Sequence, residues 1–301
     1  MGSNKDFAFV APGADGYDKD HPLAAHIQIK DTKTGELDWP EDRKKIAICG
    51  FASSSRHRMP FDDPTAVIVG LNQIYRHIPR EDVHFDIHLH WEEDNVEGTD
   101  HPRWVRECGI PVFMADPPAD QPTAVRYPVE RMIAKHGIDY FTSTVAFMLA
   151  WSVDIIDQQV AKRLVTEAAG SAANVLSISK SLYAQYTVGV YGIDLIVGTE
   201  YEWQKACVEF WLGVAEGRGI QIDIAPESAL LKQLYRYGYQ KEPDGILKLS
   251  ELGKRNGELS DRMKKIMAEY QTLDGALQEN QHISNVMNLR LRGGQIPLGN
   301  G

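Results

Sequence analysis

The chain has 301 residues, 43% of them hydrophobic and 25% charged, which is enough to bury a substantial core in one large domain, with or without an appendage. The formal net charge of −10 argues against an extended nucleic-acid-binding surface, because such surfaces contact phosphates through many Lys and Arg side chains. The sequence has neither an apolar run of membrane-spanning length nor a signal peptide, so we expect a cytoplasmic protein that does not contact a membrane.

The first predicted strand follows an irregular N-terminal arm. Residues 1–43 are rich in Gly, Asp, Lys and Pro and show no sustained periodicity, so no regular element is predicted there. Residues 45–50 form a short apolar run that predicts a buried strand, and a turn with three serines follows it directly. Such a turn either caps a helix or holds a nucleotide phosphate, and the second alternative makes Gly50, Ser53 and Ser54 nucleotide-binding candidates.

A second strand is predicted at residues 66–71, and it ends at Asn72. At the rim of a sheet, the amide of this residue is suited to recognise the edge of a base or a ribose. A turn-forming asparagine is the alternative interpretation, because Asn is common in turns. Asn72 is therefore a nucleotide-binding candidate with both interpretations open.

The third predicted strand, residues 83–90, carries Asp86, His88 and His90 in alternation on one face. A His-x-His spacing with a nearby carboxylate is used by zinc sites. No other His or Cys cluster completes a ligand set, so no metal site is predicted. Contact with a substrate is the favoured role of His88, which lies near the end of the strand.

Further strands and helices alternate along the middle of the chain. Strands are predicted at residues 111–114, 187–191 and 221–224, and helices at residues 128–136, 143–164, 201–218 and 228–235. The strands are short apolar runs without strict alternation, which is typical of parallel strands covered by helices on both faces. The sequence therefore predicts an α/β fold with a doubly wound, mostly parallel, Rossmann-like sheet that binds ligands outside the carboxyl ends of its strands.

The strongest indication of a ligand site is a hydroxyl-rich turn, Thr142 and Ser143, that opens an apolar helix. The backbone N–H groups and partial positive charge of a helix N-terminus attract phosphates and carboxylates. A later apolar strand ends in Gly192 and Asp194, which adds both residues to the nucleotide-binding candidates. Glu200 follows in the same loop, and it is a candidate general base unless it is only a solvated acidic residue.

The C-terminal segment has a different pattern. Residues 246–290 predict a long amphipathic helix, in which apolar residues between 252 and 277 are spaced by seven, four, three, four, three and four residues. This helix either packs against its own domain or forms a coiled coil, so residues 252–277 are the candidate interface of a homo-oligomer. Residues 291–301 predict a loose tail.

Taken in order, these segments resemble the bacterial sialyltransferases of the Campylobacter type and a wider group of Rossmann-like phage and archaeal proteins related to hydroxymethylpterin pyrophosphokinases. Five segments between residues 45 and 235 carry the resemblance. Residues 45–55 resemble the first strand and nucleotide turn of the family, and residues 70–75 resemble its Asn-Gln-x-Tyr stretch. Residues 142–144 resemble its Thr-Ser-Gly helix start, and residues 191–194 resemble its Gly-Ile-Asp strand end. Residues 225–231 resemble its closing Pro-x-Ser-x-Leu-Leu motif.

The resemblance implies a Rossmann-like domain over residues 44–240, with a helical insertion at about 152–183 that compact members of the group lack. It also implies that the first turn, Asn72, Thr142, Ser143 and residues 192–194 together bind a nucleotide or nucleotide sugar. This ligand would be the donor substrate, and no separate cofactor is expected.

The chain departs from the sialyltransferase pattern at three places. Phe51 replaces the Asn of the first turn, residues 195–197 replace the segment with the phosphate-binding Tyr, and no histidine is found near Glu200. In this region the chain is closer to uncharacterised phage-encoded members of the group. If a virus encodes it, the expected location is the host cytoplasm.

Three functions follow from these patterns. The first is a transferase that uses a nucleotide-activated donor, most simply a glycosyltransferase, with Glu200 or His88 as the general base. The second, which the three departures favour, is a nucleotide-binding viral accessory or sequestering protein without catalysis. The third is an oligomeric scaffold protein assembled through the C-terminal helix.

Overall fold

The computed structural model describes residues 17–89, 91, 100–167, 174–195, 202–233, 235–240 and 249–291. The chain divides into two compact units, Met1–Lys232 and Gln233–Gly301. The first unit contains all the strands of the described residues and most of their helices. Within the described helices, none is long and apolar enough to cross a membrane.

The first unit is built on a parallel sheet, which has seven strands in the described part of the chain. The strands are β3 (Lys45–Cys49), β4 (Ala66–Leu71), β5 (Val83–Asp86), β6 (Val112–Met114), β7 (Ala124–Arg126), β8 (Thr187–Tyr191) and β9 (Gln221–Ile224). Their order across the sheet is β7-β6-β5-β4-β3-β8-β9, and every neighbouring pair is parallel. Nearly all residues of the inner strands are buried, which explains their continuous apolar sequence.

The strand order confirms the predicted doubly wound α/β fold. From β3 the chain adds strands outward to β7, and it then returns to place β8 on the other side of β3. The direction of winding therefore reverses between β3 and β8. In open α/β sheets, the crevice at such a reversal is where ligands bind.

Helix α4 (Thr144–Glu167) is the central helix of the first unit. Its sequence is apolar on nearly all sides from Val145 to Val160, and it packs against β3, β4 and β5 of the sheet and against α5 and α6. The predicted helical insertion corresponds to the second half of α4 together with α5. The other helices that the structure describes in this unit are α1 (Ser53–Arg56), α2 (His101–Glu107), α3 (Val129–His136), α5 (Val175–Tyr183), α6 (Glu202–Arg218) and a 3₁₀ turn at Ile74–His77.

Two local predictions in the first half of the chain differ from the structure. The N-terminal arm contains an antiparallel pair, β1 (Ile29–Asp31) and β2 (Glu36–Leu37), where irregular structure is predicted. The third strand of the sheet ends at Asp86, so His88 lies beyond the strand, and His90 lies outside the described residues.

The helix predicted at residues 228–235 is wrong. Ser228 is buried, its Oγ donates to the carbonyl oxygen of Ile193 at 2.8 Å, and the same Oγ accepts from the Leu230 backbone N–H. Leu231 has a φ of +52°, which ends any helical course. Because these bonds connect the segment to the end of β8, it forms a turn at the edge of the sheet.

A buried ion pair lies at the opposite end of the sheet, between β4 and β5. The side chains of Arg80 and Asp82 are fully buried, and the Arg80 guanidinium lies 3.3 Å from Asp82 Oδ2. Asp82 Oδ1 accepts from the Ala25 backbone N–H and Oδ2 accepts from that of Ile68. The pair therefore connects the N-terminal arm to the edge where the strands begin.

The second unit is dominated by helix α7 (Leu249–Leu291), which has 43 residues. Its bounds agree with the predicted helix to within a few residues. Its described side chains are nearly all exposed, including those of its apolar residues.

Candidate functional site

A cavity of about 750 Å³ opens at the carboxyl ends of β3, β4, β5 and β8. It therefore lies over the reversal of winding, where the fold predicts a ligand. Its walls include seven of the ten predicted site residues: Gly50, Asn72, His88, Thr142, Ser143, Gly192 and Asp194. Side chains of Leu71, Ile87, Phe141 and Phe147 supply an apolar surface.

The floor of the cavity is formed by two turns that are hydrogen-bonded to each other. The Gly50 N–H donates to the Tyr191 carbonyl oxygen and the Ala52 N–H to that of Gly192, both at 2.8 Å. The Gly192 N–H donates to the Oγ of buried Ser55, also at 2.8 Å. These three N–H groups are thus used within the protein, and Ser55, which the sequence did not single out, positions the second turn.

The same turns approach too closely for any side chain at their glycines. A Cβ on Gly50 would lie 2.4 Å from the Gly192 carbonyl oxygen, and a Cβ on Gly192 would lie 2.4 Å from that of Gly50. Gly192 also has a φ of +67°. Neither contact can be relieved by a side-chain rotation, because both involve backbone atoms.

We expect Gly192→Ala to lower the free energy of unfolding by at least about 2 kcal/mol, through the positive φ and the backbone clash together. The measurement is urea unfolding followed by tryptophan fluorescence. Gly213→Ala is the matched control, since a Cβ at Gly213 in α6 meets nothing within 4 Å, and it should be neutral or stabilising. Equal stability of Gly192→Ala and the wild type would contradict the packing of the two turns.

Ser53 and Ser54 of the first turn differ in their contacts. Ser54 Oγ donates to the Asp194 carboxylate at 2.7 and 2.9 Å, so it holds the carboxylate at the cavity rim. Ser53 is exposed and is not among the lining residues. Helix α1 has only four residues, which gives it a weak dipole at this end.

The N-terminus of α4 lies in the cavity wall, as the sequence predicts. Ser143 caps this helix, because its Oγ accepts from the Ala146 N–H at 3.3 Å. The first N–H groups of a helix have no acceptor within it, and Thr144 and Val145, which carry them here, line the cavity. Thr142 Oγ1 donates to the Trp203 carbonyl oxygen at 3.3 Å, which connects this turn to α6.

Asn72 is held in an uncommon conformation at the cavity wall. Its φ is +52°, in the left-handed region that Asn tolerates better than most residues. Its backbone N–H donates to the Phe85 carbonyl oxygen at 3.0 Å. Among the described residues, no hydrogen-bond donor pairs with the side-chain Oδ1, which is almost inaccessible to solvent, so it is an unsatisfied acceptor in a residue that lines the cavity.

His88 forms a pair with a buried carboxylate. Its Nδ1 lies 3.2 Å from Asp86 Oδ1, and its side chain is 40% exposed whereas that of Asp86 is 1% exposed. His101 Nε2 contacts the other oxygen of Asp86 at 2.6 Å, and Tyr75 Oη lies 3.3 Å from His101 Nδ1. Burial alone would raise the pKa of Asp86, but the hydrogen bond with His101 and the nearby imidazole of His88 lower it well below its ordinary value.

An ionised Asp86 gives His88 the features of a general base. A carboxylate beside Nδ1 fixes the ring orientation and stabilises the imidazolium that forms when the ring takes a proton. The sequence indicated His88 and gave Tyr75 only as part of the Asn-Gln-x-Tyr stretch, but it did not indicate His101. His101 lies fifteen positions after Asp86, beyond an acidic stretch of sequence, and no spacing rule connects the two residues.

Two predictions remain, the candidate base Glu200 and the absence of a metal site. Glu200 lies outside the described residues. Among the residues that the structure describes, no group of three or more His, Cys, Asp or Glu side chains is arranged to hold a metal ion.

Comparisons of the chain with protein-family models, curated proteins and solved structures gave no match.

Proposed function

We propose that the chain is a transferase that binds a nucleotide-activated donor in the 750 Å³ cavity, most simply a glycosyltransferase. The observation that carries the proposal is the convergence of three features on one cavity: the N-terminus of α4, the buried Asn72 Oδ1 and the His88–Asp86 pair. The size of the cavity also suits a nucleotide or nucleotide sugar.

The phosphate of the donor would bind at the N-terminus of α4. None of the described lining residues is Lys or Arg, so the positive end of the helix and its first N–H groups are the natural anion contacts. The Ser143 hydroxyl adds a neutral hydrogen-bonding group at the same place. A site of this kind holds a phosphate through the backbone.

The nucleoside would lie on the apolar surface formed by Leu71, Ile87 and the two phenylalanines. Phe141 and Phe147 are stacked on each other, with ring centroids 4.6 Å apart, so they form a firm wall. The Asn72 Oδ1 would accept from an amino or hydroxyl group of the ligand. Asp194, held by Ser54, would accept from a sugar hydroxyl at the rim.

His88 would act as the general base. It would take the proton of the acceptor hydroxyl at Nε2, while Asp86 stabilises the resulting charge through Nδ1. The deprotonated oxygen would then attack the donor, and the nucleotide would leave with the bonding electron pair. Helix α4 would stabilise the negative charge that develops on the leaving phosphate.

A second candidate is a nucleotide-binding accessory protein without catalysis. The specific observation that favours it is the absence of Lys and Arg from the described lining residues, which leaves a departing phosphate with little charge compensation. The two candidates share the binding site and differ in turnover. Hydrolysis of the donor above background in the absence of an acceptor would argue for the transferase.

A thermal-shift screen with nucleoside mono-, di- and triphosphates and activated sugars tests the binding site. A ligand at about 100 times its Kd should stabilise the chain by about 2.7 kcal/mol. We expect a shift for one nucleotide family, and its loss in Ser143→Ala and Asn72→Gly, each compared with the same variant without ligand. Glycine is chosen at Asn72 because it tolerates the positive φ.

Ser53→Ala is the matched control, because it also removes a serine hydroxyl next to a helix start but does not touch the cavity. It should keep the full shift. No shift with any nucleotide would overturn the proposed function. A shift that persists in both cavity variants would place the nucleotide elsewhere on the protein.

A further inference from the structure

Helix α7 carries a stripe of exposed apolar side chains. We call the stripe the α7 seam, and its members have exposed fractions between 39% and 69%: Leu252, Leu259, Met263, Ile266, Tyr270, Leu273, Leu277 and Met287. All eight belong to the series of positions that runs from 252 to 287 in alternating steps of four and three residues. Such spacing is the a/d pattern of a coiled coil.

A partner that covers the seam would stabilise the helix. Gly253, Gly257 and Gly275 lie inside it, and each weakens an isolated helix. In proteins, most helical stability comes from packing of an apolar face. Burial of the eight seam side chains on two helices would remove roughly 1,000–1,900 Å² from water, close to the 1,200–2,000 Å² of a stable protein interface.

The charges along α7 indicate what that partner is. Residues 254–265 contain five Lys or Arg against two Asp or Glu, whereas residues 266–281 contain three Asp or Glu and no Lys or Arg. A basic segment of the helix is thus followed by an acidic one. Two copies packed antiparallel bring opposite charges together, whereas two copies packed parallel bring like charges together.

The polar residues of the same pattern indicate the register. Asn256 and Asn280 also fall on the positions of the α7 seam, on opposite sides of the centre of the seam. The antiparallel register that places Asn256 opposite Asn280 of the second copy also places Leu259 opposite Leu277. A buried Asn pair can satisfy its amides, whereas an Asn opposite an apolar residue cannot, so this register is preferred.

We propose that α7 pairs with α7 of a second copy of the chain as an antiparallel two-stranded coiled coil. The first test is sedimentation equilibrium of the full chain, for which we expect a dimer. Leu259→Asp combined with Leu273→Asp should give a monomer, because four charges would enter the interface. Gln271→Asp combined with Asn285→Asp is the control, since both residues are exposed on α7 outside the seam, and it should remain a dimer.

Each other result overturns the proposal. A wild-type monomer would show that the seam packs on its own chain or stays uncovered. A dimer that persists in the seam variant would form through another surface, and a trimer or larger assembly would exclude the two-stranded arrangement. Tryptophan fluorescence checks that the first unit is still folded, since all six tryptophans lie between residues 39 and 211.

A disulfide experiment tests the orientation. The native cysteines are buried in the first unit, so new cysteines on α7 report on the helix alone. Under mild oxidation, a mixture of Leu259→Cys and Leu277→Cys chains should give a cross-linked mixed dimer. Neither variant should cross-link by itself. Efficient cross-linking of Leu259→Cys with itself would show parallel helices and would overturn the antiparallel arrangement.

Discussion

His88→Gln is expected to lower the turnover of the donor by about 10²–10⁴-fold, the usual contribution of a general base. Donor affinity should change little, because the proposed contacts of the nucleotide are with α4, Asn72 and the apolar wall. The glutamine side chain keeps a polar group near Asp86, but it cannot accept the proton. The measurement is release of the nucleotide from the donor that the binding screen identifies, together with the Kd of that donor.

His57→Gln is the control for this result. His57 is exposed, ends helix α1 and does not line the cavity, so its replacement should leave turnover unchanged. Asp86→Asn should lower turnover in the same direction as His88→Gln, because the ring of His88 would lose the charge that stabilises its protonated form. Equal losses of turnover and donor affinity in His88→Gln would show that His88 binds the donor and does not act as a base.

Arg80→Met is expected to lower the free energy of unfolding by about 3–5 kcal/mol, because it leaves the Asp82 carboxylate buried without its counter-charge. Arg80 also donates to the carbonyl oxygens of Phe61, Asp63 and Ala66, and these acceptors would lose their partner. Met has a similar length, so the loss measures charge and hydrogen bonds more than volume. Urea unfolding followed by tryptophan fluorescence gives the value.

Two variants make the Arg80 result interpretable. Arg103→Met removes an ion pair with Glu107 in which both side chains are exposed, and it should change stability little. Asp82→Asn added to Arg80→Met should recover part of the loss, since the unpaired charge is then absent. A double variant less stable than Arg80→Met alone would show that Asp82 stabilises the fold through its bonds to Ala25 and Ile68 and not through the ion pair.

The sheet and the cavity could be predicted from the sequence to a large extent, for a physical reason. Strands covered on both faces must be apolar throughout, and their carboxyl ends converge at one edge. The residues that follow β3, β4 and β8 were therefore predicted to meet, and Gly50, Asn72 and Gly192 do line one cavity. The start of α4 was found from its hydroxyl-rich turn in the same way.

The contacts behind the cavity could not be predicted in this way. Asp86 looked like one member of an alternating face, but the strand ends there, and its carboxylate is shared between His88 and His101. Helix α2, which carries His101, is short, and its position depends on tertiary packing of Trp104 against Tyr75. Ser53 was predicted from its position in the turn. In the structure, however, Ser54 and Ser55 make the hydrogen bonds, to Asp194 and Gly192.

The hydrogen bonds between the turns after β3 and β8 have a consequence for the kinetics of ligand entry. Because the protein itself satisfies these backbone groups, the floor of the cavity is already organised before a ligand arrives. A ligand that meets an organised surface loses less free energy to ordering of the protein, and its association is limited mainly by diffusion and orientation. Discrimination between competing ligands at this floor should then appear in their dissociation rates.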